Sequence, residues 1–215
     1  MLKLTGVDVA IGTVQVLRDI SLEVERGVMA GLIGRNGAGK TTLMRSIMGL
    51  LAPTAGSIEF DTRNLLAMPT HSRTSLGIGY MPEDRRLIPE LTVEENLLLP
   101  AWAIGSADPG ARLDAIYQHI PELRQFAASK GAQLSGGQQK LVALGRAMMV
   151  GTRLLLLDEP FEGVAPALAQ RLAEVISTLK GEGLSVILSE SDFQHSERMV
   201  DRVFAIDRGV LTTTA

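Results

Sequence analysis

The sequence predicts an α/β fold, with a parallel-sheet core, antiparallel strands ahead of it and a helical segment inserted midway. Three observations carry that expectation. The opening stretch alternates apolar and polar residues in the two-residue period of strands, as at Leu2 and Leu4 and again at Ile20, Leu22 and Val24. Two nearly unbroken apolar runs, Val28 to Ile33 and Leu154 to Leu157, read as strands covered on both faces. Between them, from about residue 84 to about 133, strand character fades and helix-start signals take over.

Each element has its local reason. KTTLMRSIMGL, directly after a glycine-rich stretch, has helical spacing and good helix formers. Pro53-Thr54-Ala55-Gly56 is a turn, and Ser57 to Phe60 reads as a short strand. Thr92 with Glu95 three residues on is a capping box opening VEENLLL. Asp108-Pro109 pairs an N-cap residue with proline at the first helical position, and Pro121 begins a short helical piece through Phe126. From Arg153 the rhythm is strand LLLL, helix Pro166 to Lys180, strand SVILS, a short helix, then strand RVFAI. The expected organisation is one domain over 1–215, its core about 1–83 and 151–215, with a helical insertion about 84–150.

Composition narrows the function. The chain has 215 residues, 46% hydrophobic and 21% charged, enough apolar content for a real core and too much for intrinsic disorder. A net charge of −3 gives no general electrostatic footprint for nucleic acid, and 4% aromatic residues argue against base-stacking platforms. No cysteine is present, and His71, His119 and His195 stand far apart, which speaks against disulfides and against a zinc centre. The start MLKLTGVDVAIG lacks a signal-peptide core, and no window holds the roughly 18 apolar residues needed to span a bilayer. The expectation is a soluble, cytoplasmic chain.

Three motifs carry chemistry. Gly34-Arg35-Asn36-Gly37-Ala38-Gly39-Lys40-Thr41, followed by Thr42, fits G-x-x-x-x-G-K-[ST] between a buried strand and a helix. The glycines let backbone N–H groups curl around phosphates, Lys40 reaches the β- and γ-phosphates, and the Thr41 hydroxyl ligates Mg²⁺. The plain alternative is a strand-turn-helix with a glycine-rich corner. Asp158 and Glu159 follow a four-leucine strand at the end where open α/β sheets place ligands. Adjacent strand residues point opposite ways, so Asp158 is expected to serve the Mg²⁺ shell and Glu159 to activate water as general base. Taken alone, such a pair also reads as the solvated start of a loop. Leu134-Ser135-Gly136-Gly137-Gln138-Gln139 opens a helix with Ser135 at the N-cap, a second anion site that makes sense in a head-to-tail dimer. Otherwise it is an ordinary N-cap with glycines behind it.

The phosphate loop, LSGGQQ and LLLLDEP, in that order, resemble the ATP-binding subunit of an ABC transporter. PEDRR at Pro82 to Arg86, LTVEENL at Leu91 to Leu97 and FEGVAP at Phe161 to Pro166 resemble the branched-chain (hydrophobic) amino-acid uptake group, whose close relatives carry urea or short amides. The resemblance implies a P-loop NTPase (RecA-like) core with an N-terminal antiparallel β-subdomain and an inserted α-helical subdomain. It also implies ATP and Mg²⁺ as ligands and a homodimer or a heterodimer with a paralogous ATPase subunit. Separate integral-membrane permeases, and a peripheral place on the inner face of the plasma membrane, follow from the same likeness. The family's adenine-stacking aromatic aligns with Ile11, a weaker aliphatic contact. Its γ-phosphate-sensing loop glutamine aligns with Glu83, which is expected near Mg²⁺ as a link to the permease, or else paired with Arg85 or Arg86. The switch histidine aligns with Ser191, and the aspartate ending the turn after the catalytic carboxylate aligns with Ala165. His195, one helical turn beyond Ser191, is either a substitute or a surface helix histidine. The alternatives are a soluble ABC ATPase acting on ribosomes or DNA, and a P-loop kinase or GTPase, which has no use for LSGGQQ.

Overall fold

The computed structural model describes residues 1–192 and 195–212. In chain order the strands and helices are β1 (Leu2–Ile11), β2 (Val14–Val24), β3 (Met29–Ile33), α1 (Lys40–Ile47), β4 (Ala55–Phe60), β5 (Arg63–Asn64) and α2 (Ser72–Ser75). There follow β6 (Ile78–Met81), α3 (Val93–Ala103), α4 (Pro109–His119), α5 (Glu122–Gln125), α6 (Gly136–Val150), β7 (Leu154–Asp158), α7 (Pro166–Gly181), β8 (Ser185–Glu190), β9 (Arg202–Asp207) and β10 (Val210–Thr212). One antiparallel sheet has the order β2-β1-β4-β5. A second has the order β10-β9-β3-β8-β7-β6 and is parallel except for β10.

Alternation along β7 explains how the layers stack. Leu154 and Leu156 join one core cluster with α1 and the antiparallel sheet, while Leu155 and Leu157 join the other with α6 and α7. All four leucines are fully buried, and each contributes roughly 1.5–3 kcal/mol of transfer free energy. This one strand thus packs into both layers. Helix α6 packs against α3, α4 and α5 on one side and β6 and β7 on the other. Its approach to the sheet demands glycine: a Cβ on Gly79 would meet the Ala147 carbonyl oxygen at 2.1 Å.

The local signals are realised at most helix starts. Thr92 and Glu95 form the reciprocal capping box of α3, and Asp108 caps α4 with Pro109 behind it. Such a cap is worth about 1 kcal/mol. One expectation fails. The short helix after SVILS is not formed in the described part: residues 195–199 are turns, and residues 193 and 194 lie outside the described residues. Here Ser196 turns inward to donate to Glu190 and its backbone accepts from Met199 and Val200, so local bonds replace a continuing helix. The short strands β5 and β10 were not expected. β10 arises because Arg208 and Gly209 both take positive φ, 47° and 78°, the pattern of a tight two-residue hairpin turn.

Candidate active site

Four parallel strands, β3, β6, β7 and β8, end on the same side of the sheet, and each delivers part of the site. Beyond β3, the loop Gly34 to Gly39 turns into α1. Gly39 is the N-cap at φ +114°, with no side-chain cap and no acidic residue in the first turn. The first N–H groups of α1 and its positive dipole end are therefore left for an anion. They open on a cavity of about 380 Å³ lined by Asn36, Gly37, Gly39, Lys40, Thr41 and Thr42, together with Val16, Glu83 and Glu159. Ala38 shapes the loop from inside: it is buried and its carbonyl accepts from Gly209.

The Lys40 ammonium folds back over its loop. It donates to the Gly34 carbonyl and to Arg35 O at 3.3 Å, and it ion-pairs with Glu159 Oε1 at 3.0 Å, both side chains nearly buried. Asp158 and Glu159 diverge as expected. Asp158 is fully buried and accepts from Thr41 Oγ1 at 3.1 Å, Ser189 Oγ at 2.8 Å and Tyr80 Oη at 3.2 Å. Burial, the Asp158 charge and this hydrogen bond keep the Tyr80 phenol protonated, so Tyr80 is the donor. Thr41 and Asp158 offer a hydroxyl and a carboxylate to one spot, hard oxygen donors of the kind Mg²⁺ accepts alongside phosphate. Among the described residues no cluster of three or more His, Cys, Asp or Glu could hold a metal by itself.

Glu159 lies just past the strand at φ +47°, a strained conformation for a non-glycine residue. Its divergence from Asp158 therefore comes from this turn as well as from strand alternation. Its N–H donates to Ser189 Oγ at 3.0 Å and its carbonyl accepts from Lys140 Nζ at 2.5 Å. Ser191 Oγ lies 2.8 Å from Asn36 Oδ1 and 3.2 Å from Glu159 Oε1, and its single proton serves one of them at a time. Ser191 thus stands between the phosphate loop and the Glu159 carboxylate.

Other candidates sit differently. Glu83, exposed just beyond β6, lines the Lys40 cavity and also a second cavity of about 210 Å³ with Thr41, Tyr80 and Asp158. Partial desolvation and the charges of Glu162, Asp158 and Glu159 raise its carboxyl above the usual range. The two arginines beside it are engaged elsewhere: Arg86 pairs with Asp84, and Arg85 donates to Gln139 at 3.1 Å. Both arginines have positive φ, 61° and 49°, and Arg146 of α6 binds both their carbonyls. Ile11 is half exposed and does not line the Lys40 cavity, where Val16 stands instead. Ser135, Gly136, Gly137 and Gln138 lie outside that cavity too. Ser135 Oγ accepts from Gln138 N at 3.3 Å, and Gln138 Oε1 accepts from Ser135 N, a closed capping box. Ala165 is the uncapped N-cap of α7.

Two residues gain importance from the structure. His195 is not on a surface helix: it packs on the Phe161 ring, centroids 5.3 Å apart, and lines a cavity of about 290 Å³ with Asn36, Glu159 and Ser191. In the same quarter, burial pushes the Glu190 carboxyl up to about 7, against a Ser196 hydrogen bond, and Glu159 and Asp192 add to the rise. Lys140 is 1% exposed on α6. Its polar position in an otherwise apolar stretch, KLVALG, was the one available sequence signal.

The sequence profile of the ABC transporter family matches residues 17–162. The branched-chain amino acid transport ATP-binding protein BraG of Pseudomonas aeruginosa is 35% identical over 97% of this chain and 90% of its own. The lipopolysaccharide export ATP-binding protein LptB of Escherichia coli is 32% identical over 92% of this chain and 83% of its own. Among solved structures, the ATP-binding cassette MJ0796, dimeric in a post-hydrolysis state with ADP and Pi, has a TM-score of 0.90 at 25% identity, covering 100% of this chain and 98% of that one. Phosphate loop, paired carboxylates and capped glycine helix, joined to these likenesses, make the chain a member of the ABC transporter ATP-binding family and an ATP-hydrolysing enzyme.

Proposed function

We propose that the chain energises a membrane importer for branched-chain amino acids or a related small solute. It would work as a head-to-tail dimer of two such subunits, bound peripherally to separate permeases on the inner face of the plasma membrane. The single observation that carries the mechanism is the Lys40–Glu159 ion pair inside the phosphate-loop cavity. The importer reading rests on the likeness to BraG and on a probable LivF of Archaeoglobus fulgidus, 30% identical over 97% of this chain and 89% of its own. The 32% identity to LptB supports a second reading, energising lipopolysaccharide export.

The triphosphate enters with its charges toward the first N–H groups of α1 and toward Lys40. Lys40 then exchanges the Gly34 and Arg35 carbonyls and Glu159 for phosphate oxygens, since charge-assisted bonds to phosphate are the stronger ones. That exchange frees the Glu159 carboxylate to accept a proton from the attacking water. Thr41 and Asp158 would hold Mg²⁺, with Glu83 at its edge; the ion supplies charge neutralisation on the phosphates. Ser135 of the partner subunit, with the glycines and the Gln138 turn behind it, completes the γ-phosphate site from the other side. The adenine ring would rest against aliphatic Val16, which lines the cavity in place of Ile11. Segment 84–150 then moves with Glu83 and passes the change to the permease.

Glu159→Gln should cost about 10²–10⁴ in turnover while leaving nucleotide binding intact. With Mg-ATP it should accumulate a dimer visible by size exclusion. Unchanged turnover sinks the assignment of the base. Capture of the tagged chain with its permeases, followed by hydrolysis assays in proteoliposomes, decides the cargo. Stimulation by branched-chain amino acids supports import, stimulation by lipopolysaccharide supports export, and co-purification with ribosomes overturns both.

A further inference from the structure

Among the buried cations of the described residues that the mechanism above leaves unused, Lys140 is the one bonded to the site. Lys140 lies on α6, five residues beyond Ser135, and is 1% exposed. Removing an ammonium from water is unfavourable unless it is hydrogen-bonded and faced by negative charge. Here it donates to the Glu159 carbonyl oxygen at 2.5 Å; burial and the Arg85 charge lower its pKa, and the charges of Glu162, Glu83 and Glu159 only partly offset them.

What it holds is the strained part of the site. A left-handed φ of +47° at Glu159 persists only where the surroundings impose it. Two side chains and one turn bond do so: Ser189 Oγ takes the N–H, and the carbonyl accepts from Lys140 Nζ and, at 3.3 Å, from the Glu162 N–H. In this backbone conformation the Glu159 carboxylate reaches Lys40 Nζ and Ser191 Oγ.

We propose that Lys140 is a positioning residue for Glu159, holding the backbone of the general base so that its carboxylate enters the phosphate cavity. Because Ser135 caps the start of α6, the Lys140 side chain ties the helix offered to the partner's nucleotide to the base of its own site. This inference rests on reading Glu159 as the base.

The test uses the full chain with Mg-ATP and two substitutions. Lys140→Met removes the donor and the charge at similar length. It should lower kcat about tenfold or more, as a misplaced reacting group does, while the nucleotide Kd stays within about twofold. The melting temperature should hold, because an apolar side chain replaces a buried charge. Lys140→Gln keeps an N–H donor without the charge, and kcat should fall only about three- to fivefold. A Met variant with parental kcat overturns the proposal, as does a fall in kcat matched by an equal loss of nucleotide binding. If the Met variant does not fold, the Gln variant decides: parental kcat overturns the proposal, and a lowered kcat with unchanged Kd upholds it. Glu159→Gln run alongside separates the two readings. If it turns over normally, the base is misassigned; if it is inactive while Lys140→Met is normal, only the positioning role fails.

Discussion

Two glycine-rich helix starts, at α1 and α6, have similar local chemistry and opposite local accounting. At α1 the N-cap is Gly39 in a left-handed conformation, and no side chain caps the exposed N–H groups. At α6 the N-cap is Ser135 in extended conformation, and Ser135 and Gln138 satisfy each other's backbone donors. The first start opens on a cavity furnished with Lys40, Thr41 and Glu159; the second borders no part of it. An uncapped start is organised for its ligand in advance, at a standing cost in stability. A capped start is stable alone and takes a ligand only by exchanging its own bonds, which suits a surface that acts conditionally on a partner.

The largest effect should come from the uncapped start. Lys40→Ala removes the cation proposed to pair with the phosphates, a loss of about 2–5 kcal/mol, so nucleotide affinity should fall by well over tenfold. Fluorescent-nucleotide titration measures it, and parental affinity would mean that α1 needs no lysine to act as an anion site. Ser135→Ala should be smaller and double-sided. It should lower thermal stability by about 1 kcal/mol through the lost cap and slow hydrolysis with little change in nucleotide affinity. Mixing Ser135→Ala chains with Glu159→Gln chains sharpens the contrast, because a mixed dimer holds one intact site. Recovered hydrolysis on mixing supports the division of labour; no recovery breaks it. The smallest effect belongs to Ser191→Ala, which removes one shared hydroxyl hydrogen bond worth about 0.5–1.5 kcal/mol. Turnover should drop a few-fold in a steady-state phosphate-release assay. Loss as deep as that of Glu159→Gln would make Ser191 more than a neutral contact between Asn36 and the base.

The difference between near and distant information runs through the rest of the site. Lys40, Thr41, Asp158 and Glu159 were legible because each belongs to a short motif between a buried strand and a loop or helix, so local order and position travel together. Tyr80, Ser189 and Lys140 were not. Tyr80 and Ser189 reach Asp158 across the sheet, from strands 78 and 31 positions away in the chain. Lys140 reaches Glu159 from the face of a packed helix. The sequence predicts His195 on a short helix after SVILS; its seat against Phe161 depends on packing between segments.

By itself, the sequence determined most of the elements and where they begin, with β5, β10 and the turns at 195–199 as exceptions. Strand period, capping boxes at Thr92 and Ser135, proline at position 109 and glycines at the phosphate loop are all satisfied within a few residues, by steric and hydrogen-bond rules that need no distant partner. Only the tertiary structure decided the order β10-β9-β3-β8-β7-β6, the meeting of Lys40 with Glu159, and the hold of Lys140 on the strained turn. Those depend on which side chains share a water-poor space once the layers close. There a charge that is tolerable in the open chain must find its opposite or a carbonyl, and the choice of partner is made by the packing of segments far apart in the chain.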